Sequence, residues 1–192
     1  MRTVRFVATA GLLLAAAACT SSTGGTGSFS QPACSGSAAV SPSGAPYCFL
    51  APTGFAKQEN ADVGDEQWPV ALKLSSGSAI TAGVSAIDAG MGKLSDSELV
   101  KQTDSGAQAF GNGIELKSPN GTLSKIPAGR SIVYHATVPA QGNTRLNVDV
   151  YFVYGANVQL NLNCYWSSAQ DRVKQACSQV LLTMHIKTAS GG

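Results

Sequence analysis

The sequence lacks an apolar run long enough to serve as a transmembrane helix. The N-terminal run from Phe6 to Ala18 has thirteen residues, whereas a helix that spans a bilayer needs about 20. We therefore expect no permanent helical anchor in this segment.

The chain also has little net charge. It contains 13 Lys and Arg against 11 Asp and Glu, and two of the basic residues, Arg2 and Arg5, lie at the N-terminus. Removal of residues 1–18 leaves 11 basic residues against 11 acidic ones, so the remaining chain is formally neutral. A neutral domain has no electrostatic basis for binding nucleic acid, and we predict no nucleic-acid partner.

Motifs that bind metals or perform catalysis are scarce. The two histidines, His135 and His185, are 50 residues apart and lack a second His or Cys at ligand spacing, so a zinc site is not expected. The stretch from Gly83 to Ile87 departs from the G-x-S-x-G nucleophile motif at its last residue. We predict no cofactor, no metal site, no catalytic residue and no enzymatic activity.

The N-terminus has the three parts of an export signal: Arg2 and Arg5, the apolar run, and small residues before Cys19. The segment from Leu14 to Cys19 resembles the lipobox of bacterial lipoproteins, in which the cysteine receives a diacylglyceryl group. We predict a signal peptide over 1–18 and lipidation of Cys19, which would attach the protein to the outer side of the bacterial cell membrane. The alternative is ordinary secretion, because Ala16-Ala17-Ala18 also satisfies the A-x-A cleavage rule.

The composition of the rest of the chain divides it into a tether, a folded domain and a tail. Residues 19–33 are rich in Ser, Thr and Gly and are predicted to form a flexible tether. We predict a folded domain over 34–187 and a disordered tail over 188–192.

Alternating apolar residues predict three strands near the C-terminus, and these share one polar face. The Gly155-Ala156-Asn157 turn is expected to set Phe152 opposite Leu160, and the preceding turn to set Tyr134 opposite Val148. Polar groups then collect on the other side of the sheet, with Ser131, Tyr151 and Asn161 in one row. The candidate binding face consists of Ser131, His135, Asn147, Asp149, Tyr151, Asn161 and Asn163. The simpler alternative is a solvated sheet face.

Two helices are predicted to pack on the sheet. Ser95 and Glu98 form a capping box before one helix, and Ser168 with Asp171 resembles another. The second helix has an apolar stripe at helical spacing: Val173, Ala176, Cys177, Val180, Leu181 and Met184. Further strands are expected over 70–74, 79–87, 114–118 and 122–126, the last two joined as a hairpin through Asn120-Gly121. The predicted fold is α+β, an antiparallel sheet of about six or seven strands with two helices.

Cysteine parity supports lipidation, because an acylated Cys19 leaves an even set of four among the five cysteines. Cys164 ends the apolar side of a strand and Cys177 lies on the apolar side of the helix that packs over it, so we predict that these two pair. Cys34 and Cys48 then pair by elimination. Four cysteines allow three connectivities, and the alternative is two or more free thiols.

The order of elements, together with the segment Phe49-Leu50-Ala51-Pro52-Thr53-Gly54-Phe55, resembles the PsbP-like fold and, within it, the LpqN-type lipoproteins of actinobacteria. Those chains begin with a strand that runs into a Pro-x-Gly-aromatic turn. The resemblance covers about residues 47–187. It implies an accessory, binding or assembly role at a membrane and no shared catalytic residues.

Three functions follow as hypotheses. The first is a membrane-anchored, non-enzymatic domain that binds an envelope protein or a small ligand. The second is a carrier of a lipid or another apolar ligand, which would need a roomy apolar cavity between sheet and helices. The third is an envelope hydrolase that uses His135 with Asp149.

Overall fold

The structure is a computed structural model that describes residues 34–58, 66–75, 77–85, 90–109, 113–140, 143–155 and 157–187. The predicted signal peptide, Cys19, the tether and the C-terminal tail lie outside these residues.

The described residues form a large antiparallel sheet, a small one and two α-helices. The elements in chain order are β1 Ala39–Val40, β2 Tyr47–Leu50, β3 Ala56–Gln58, β4 Gln67–Ser75, β5 Ser78–Ser85, α1 Asp96–Ala107, β6 Glu115–Leu116, β7 Thr122–Ile126, β8 Gly129–Pro139, β9 Arg145–Tyr154, β10 Gln159–Trp166, α2 Gln170–Thr183 and β11 His185–Ile186. The large sheet has the order β3-β4-β5-β10-β9-β8-β6, with β7 also paired to β8, and the small sheet has the order β1-β2-β11. The predicted α+β class is confirmed, with eight strands in the main sheet of the described chain where six or seven were expected.

The two helices cover opposite faces of the main sheet and different halves of it. Helix α2 packs over β4, β5 and β10, on the face that carries Leu160, Leu162 and Cys164. Helix α1 packs over β8 and β9, on the face that carries Tyr134 and Phe152. We call these the α2 face and the α1 face.

The register between β9 and β10 differs from the predicted one by one residue. Leu160 lies opposite Val153, and Phe152 lies opposite Asn161. Four residues, 155–158, connect the paired Tyr154 and Gln159, whereas a three-residue turn was expected. A shift of one residue moves side chains to the other face of a sheet, so Asn161 and Asn163 lie on the α1 face.

The register between β8 and β9 differs from the predicted one by two residues, which leaves each side chain on its predicted face. Tyr134 lies opposite Val150 rather than Val148, and His135 lies opposite Asp149 rather than Asn147. The consequence is a direct cross-strand pairing of His135 with Asp149.

Helix α1 begins as predicted, whereas α2 does not. The Ser95 hydroxyl accepts a hydrogen bond from Glu98 N (3.3 Å), and Glu98 Oε2 accepts one from Ser95 N (3.1 Å), which completes the capping box. At α2 the N-cap residue is Ala169, in the left-handed conformation (φ 55°) and without a side-chain cap. The predicted Ser168 capping box is therefore wrong.

The predicted Asn-Gly hairpin is also wrong, because β6 and β7 do not pair with each other. Both pair with β8, β6 near Ala136 and β7 from Val133 to Gly129. Gly121 lies directly against the side chains of Ile132 and Tyr134, where a Cβ atom would come within 2.6 Å of both. The segment between β6 and β7 thus packs onto β8.

Both predicted disulfides are present. Cys34 pairs with Cys48 at a Cα–Cα distance of 6.0 Å, and Cys164 pairs with Cys177 at 6.5 Å. The first bridge ties residue 34 to β2, and the second joins α2 to β10. Disulfides persist in oxidising compartments, so the two bridges fit a location outside the cytoplasm.

Candidate binding surfaces

The predicted binding face is divided between the two sides of the main sheet. Because each helix covers only half of one face, two polar surfaces remain beside them. The histidine surface lies on the α2 face of β8 and β9 and comprises Ser131, His135, Asn147, Asp149 and Tyr151. The amide surface lies on the α1 face of β5 and β10 and comprises Thr81, Ser85, Gln159, Asn161 and Asn163.

A buried carboxylate holds an exposed imidazole at the centre of the histidine surface. Asp149 Oδ1 lies 2.5 Å from His135 Nδ1. The Asp149 side chain is 4% exposed, whereas that of His135 is 53% exposed. Asp149 is buried because its other cross-strand neighbour is Cys164, which the disulfide joins to α2. The Asp149 carboxylate accepts a hydrogen bond from His135 Nδ1–H, which leaves His135 Nε2 available to another molecule.

The other side chains of the histidine surface differ in how available they are. Burial, reinforced by the negative charge of Asp149, raises the pKa of Tyr151 to about 12, which disfavours the ionised phenol. The Asn147 side-chain oxygen accepts a hydrogen bond from Lys117 Nζ at 2.8 Å. Ser131 is only 2% exposed, so it does not belong to the accessible part of the surface.

The side chains of the amide surface mainly bind one another. Asn161 Nδ2 donates to Ser85 Oγ at 2.6 Å and to Glu66 Oε1 at 2.8 Å, while Gln159 Nε2 donates to Asn161 Oδ1 at 2.9 Å. Burial raises the pKa of Glu66, partly offset by the hydrogen bond from Asn161. These bonds satisfy the Asn161 amide within the fold, which favours a structural role for it.

Gly83 makes room for the Glu66 carboxyl group. A Cβ atom at Gly83 would lie 2.3 Å from Glu66 Oε2. That oxygen is buried and has no hydrogen-bond partner within the described part of the chain. An unpaired buried oxygen penalises the ionised carboxylate, in keeping with the raised pKa of Glu66.

Comparison with known proteins gives a likeness of fold only. No protein-family model matches the chain, and no curated protein matches it. A crystal structure from Bacteroides thetaiotaomicron VPI-5482 matches with a TM-score of 0.52 and 9% identity, over 76% of this chain and 46% of that one. This chain therefore spans less than half the length of that protein.

Two further solved structures are matched. The solution structure of cyanobacterial PsbP (CyanoP) from Synechocystis sp. PCC 6803 has a TM-score of 0.49 and 14% identity, over 85% of this chain and 98% of that one. The crystal structure of LpqN, involved in cell envelope biogenesis of Mycobacterium tuberculosis, has a TM-score of 0.42 and 6% identity, over 74% and 83%. Both likenesses are weaker than the first, and membership of the LpqN-type lipoproteins stays a prediction.

Sequence reasoning did not find Glu66, Thr81 or Ser85. Thr81 and Ser85 had a usable signal, because on β5 they alternate with Ile80, Ala82 and Val84. Glu66 immediately precedes β4 and has no periodicity that would place it beside Asn161. Its role depends on a contact between residues 95 positions apart in sequence.

Within the described ranges, neither helix is long and apolar enough to cross a membrane. The same residues contain no cluster of three or more His, Cys, Asp or Glu side chains that could hold a metal ion.

Proposed function

We propose that this protein is a lipoprotein outside the cytoplasm, anchored to the bacterial cell membrane through Cys19, whose domain binds a polar ligand or an envelope protein without catalysis. The histidine surface is the proposed contact site. The tether over 19–33 would hold that surface away from the bilayer.

The orientation of His135 by Asp149 is the observation that carries this proposal. Burial of a carboxylate is costly unless it is paired, and position 149 lies on a sheet face where an apolar residue would pack at lower cost. What Asp149 contributes is a fixed direction for the His135 ring. A binding surface benefits from this order, because the ring does not lose further rotational freedom when a partner binds.

Hydrolysis is the second candidate, because the same His-Asp pair resembles the base and its orienting group in acyl-transfer enzymes. Such chemistry needs a nucleophile hydrogen-bonded to the imidazole. Ser131 lies on the same side of β8, but its buried Oγ has no hydrogen-bond partner in the described chain. We therefore favour binding over hydrolysis. Hydrolysis of p-nitrophenyl acetate that is lost in His135→Ala would reverse this order.

Site-specific photocrosslinking in the native envelope tests the contact site. In the full-length protein, a photoreactive amino acid replaces Val133. This residue lies opposite Tyr151 at the centre of the histidine surface. The same photoreactive amino acid at Gln102, exposed on α1, is the matched control. We expect a discrete crosslinked species from position 133 that is absent from position 102 and is lost when His135→Ala is added.

Two results would count against this assignment. One is an identical crosslinking pattern from positions 133 and 102. The other is a position 133 crosslink that His135→Ala leaves unchanged while circular dichroism shows that the variant is folded.

The lipid anchor is tested separately. We expect the wild-type protein to sediment with membranes and its N-terminal peptide to carry the mass of an acylated cysteine. Cys19→Ser should release the protein into the soluble extracytoplasmic fraction. An unmodified mature N-terminus in the wild type would refute lipidation and favour ordinary secretion.

A further inference from the structure

An apolar depression with a cationic rim lies on the α1 face of the main sheet, over β4, β5 and β10. It borders the amide surface, because its lining residue Ala71 lies opposite Thr81. Its volume is about 350 Å³. It is separate from the histidine surface, which lies on the opposite face.

The depression arises from small residues between larger ones. Tyr165, Ala79 and Lys73 follow one another in a single row across β10, β5 and β4. Ala79 contributes only a methyl group between two long side chains, and Ala71 adds a second alanine to the lining. The missing side-chain volume is what opens the space.

Apolar side chains from the neighbouring strands complete the walls. Val138 of β8 and Leu146 of β9 lie opposite each other and line the depression together with Pro139. Val138 and Leu146 are half-buried, so apolar surface stays accessible to a ligand. A cleft of this size is at the lower end of the roughly 300–1,000 Å³ range of small-molecule sites, and it suits one short apolar chain better than two.

The depression has one cation, Lys73, in its described lining. It adjoins a wider hollow of about 700 Å³, which shares Lys73, Gly77 and Leu146 with it and adds Arg145 to its lining. The described lining residues of the two spaces include these two cations and no carboxylate. Arg145 lies 3.3 Å from the exposed Glu115, so part of its charge is already paired, whereas Lys73 has no ion pair with any described residue. Lys73 is therefore the main candidate for an anionic group.

We propose that this depression binds a free fatty acid, with its alkyl chain against Ala71, Ala79 and Tyr165 and its carboxylate beside Lys73. The apolar floor and the cation at its mouth complement the two ends of such a molecule. The site differs from the cavity between sheet and helices that a lipid carrier was expected to need, because it lies on the sheet surface beside the helix-covered half.

Calorimetric titration with dodecanoate, below its micelle concentration, tests the proposal. The full mature chain is used with Cys19→Ser, so that no attached acyl group competes. We expect saturable binding of one dodecanoate per chain, and weaker binding at higher salt because the carboxylate–Lys73 attraction is screened. Decanoate and octanoate have shorter alkyl chains and should bind more weakly. Their affinity should fall about fourfold for each methylene that is missing relative to dodecanoate, as the free energy of burying one CH₂ predicts.

Substitutions locate the site. Ala79→Phe fills the depression and should abolish binding, whereas Thr122→Phe, on exposed β7, should not. Lys73→Gln should weaken binding about fivefold, the upper range for an exposed ion pair, whereas Lys101→Gln on α1 should have no effect. Circular dichroism checks that each variant is folded.

The chain-length series and the choice of head group keep the test decisive if Ala79→Phe does not fold. Dodecyl maltoside has the same chain and a neutral head, and it should bind more weakly than dodecanoate. Equal binding of the two, no saturable binding of dodecanoate, or binding only of lysophosphatidylglycerol would overturn the assignment to a fatty acid.

Discussion

Removal of the His135 imidazole should destabilise the fold, even though the side chain is half exposed. In His135→Ala the Asp149 carboxylate loses the partner that lies 2.5 Å from it, while the carboxylate itself stays 4% exposed. Breaking a fully buried ion pair costs about 3–5 kcal/mol, and leaving a buried acceptor unsatisfied costs about 1–3 kcal/mol.

The smaller of these two costs applies here, because the ring that is removed is 53% exposed and water can enter the space that it leaves. We therefore expect the free energy of unfolding to fall by about 1–2 kcal/mol, measured by urea denaturation at pH 7.5 with the disulfides intact. His185→Ala is the control; it removes the other histidine, and we expect a change below about 0.5 kcal/mol.

A double-mutant cycle separates the pair from the single losses. In the His135→Ala background, Asp149→Ala removes a carboxylate that no longer has its partner, so it should cost much less than in the wild type. We expect a coupling energy of at least about 1 kcal/mol. A His135→Ala variant within about 0.3 kcal/mol of the wild type, or a coupling energy near zero, would refute the argument that the imidazole satisfies Asp149.

Three further substitutions test other parts of the fold. Gly129→Ala should lower the free energy of unfolding, measured in urea, by at least about 2 kcal/mol. Gly129 has φ 139°, and a Cβ atom there would lie 2.4 Å from the Tyr154 carbonyl oxygen. A loss below about 0.5 kcal/mol would contradict this. Ser95→Ala removes the N-cap of α1 and should cost about 1 kcal/mol, largely recovered in Ser95→Asp, and an unrecovered loss would argue against capping. Glu66→Gln tests the raised pKa of Glu66. As the pH rises from 4 through the folded-state pKa, the wild type should lose stability relative to the variant, because Glu66 ionises whereas Gln does not and can still accept a hydrogen bond from Asn161. An equal difference in stability at pH 4 and pH 7 would contradict this.

The sequence predicted the two disulfides and the two helices well, because burial of their apolar sides is enough to place them. The stripe from Val173 to Leu181 is buried on the sheet as expected. Cys164 and Cys177 each lie on an apolar side, so burial of both sides brings them together. The Ser95 capping box, which Glu98 completes, was also predicted correctly, whereas the Ser168 box, which has Asp171 at that position, was not.

The strand register could not be predicted in the same way, because β9 is buried on both faces over its second half. Phe152 and Tyr154 pack in the α1 core, while Val153 packs in the α2 core. Alternation fixes a register only where one face is apolar and the other polar. Because β9 has apolar residues on both faces there, its pattern fits two registers with β10 that differ by one residue. The length of the loop between β9 and β10 selects one of them.

The division of the predicted binding face follows from that same shift. In the predicted arrangement Asp149 lay with Asn163 on one polar face of the sheet, and its carboxylate would have faced water. In the structure it lies between His135 and Cys164, beside the bridge that holds α2 to the sheet. The bridge therefore accounts for the burial of Asp149, and the burial of Asp149 accounts for the fixed direction of His135. The disulfide is formed by residues outside the histidine surface, so the pattern of polar residues on β8 and β9 did not reveal the burial of Asp149.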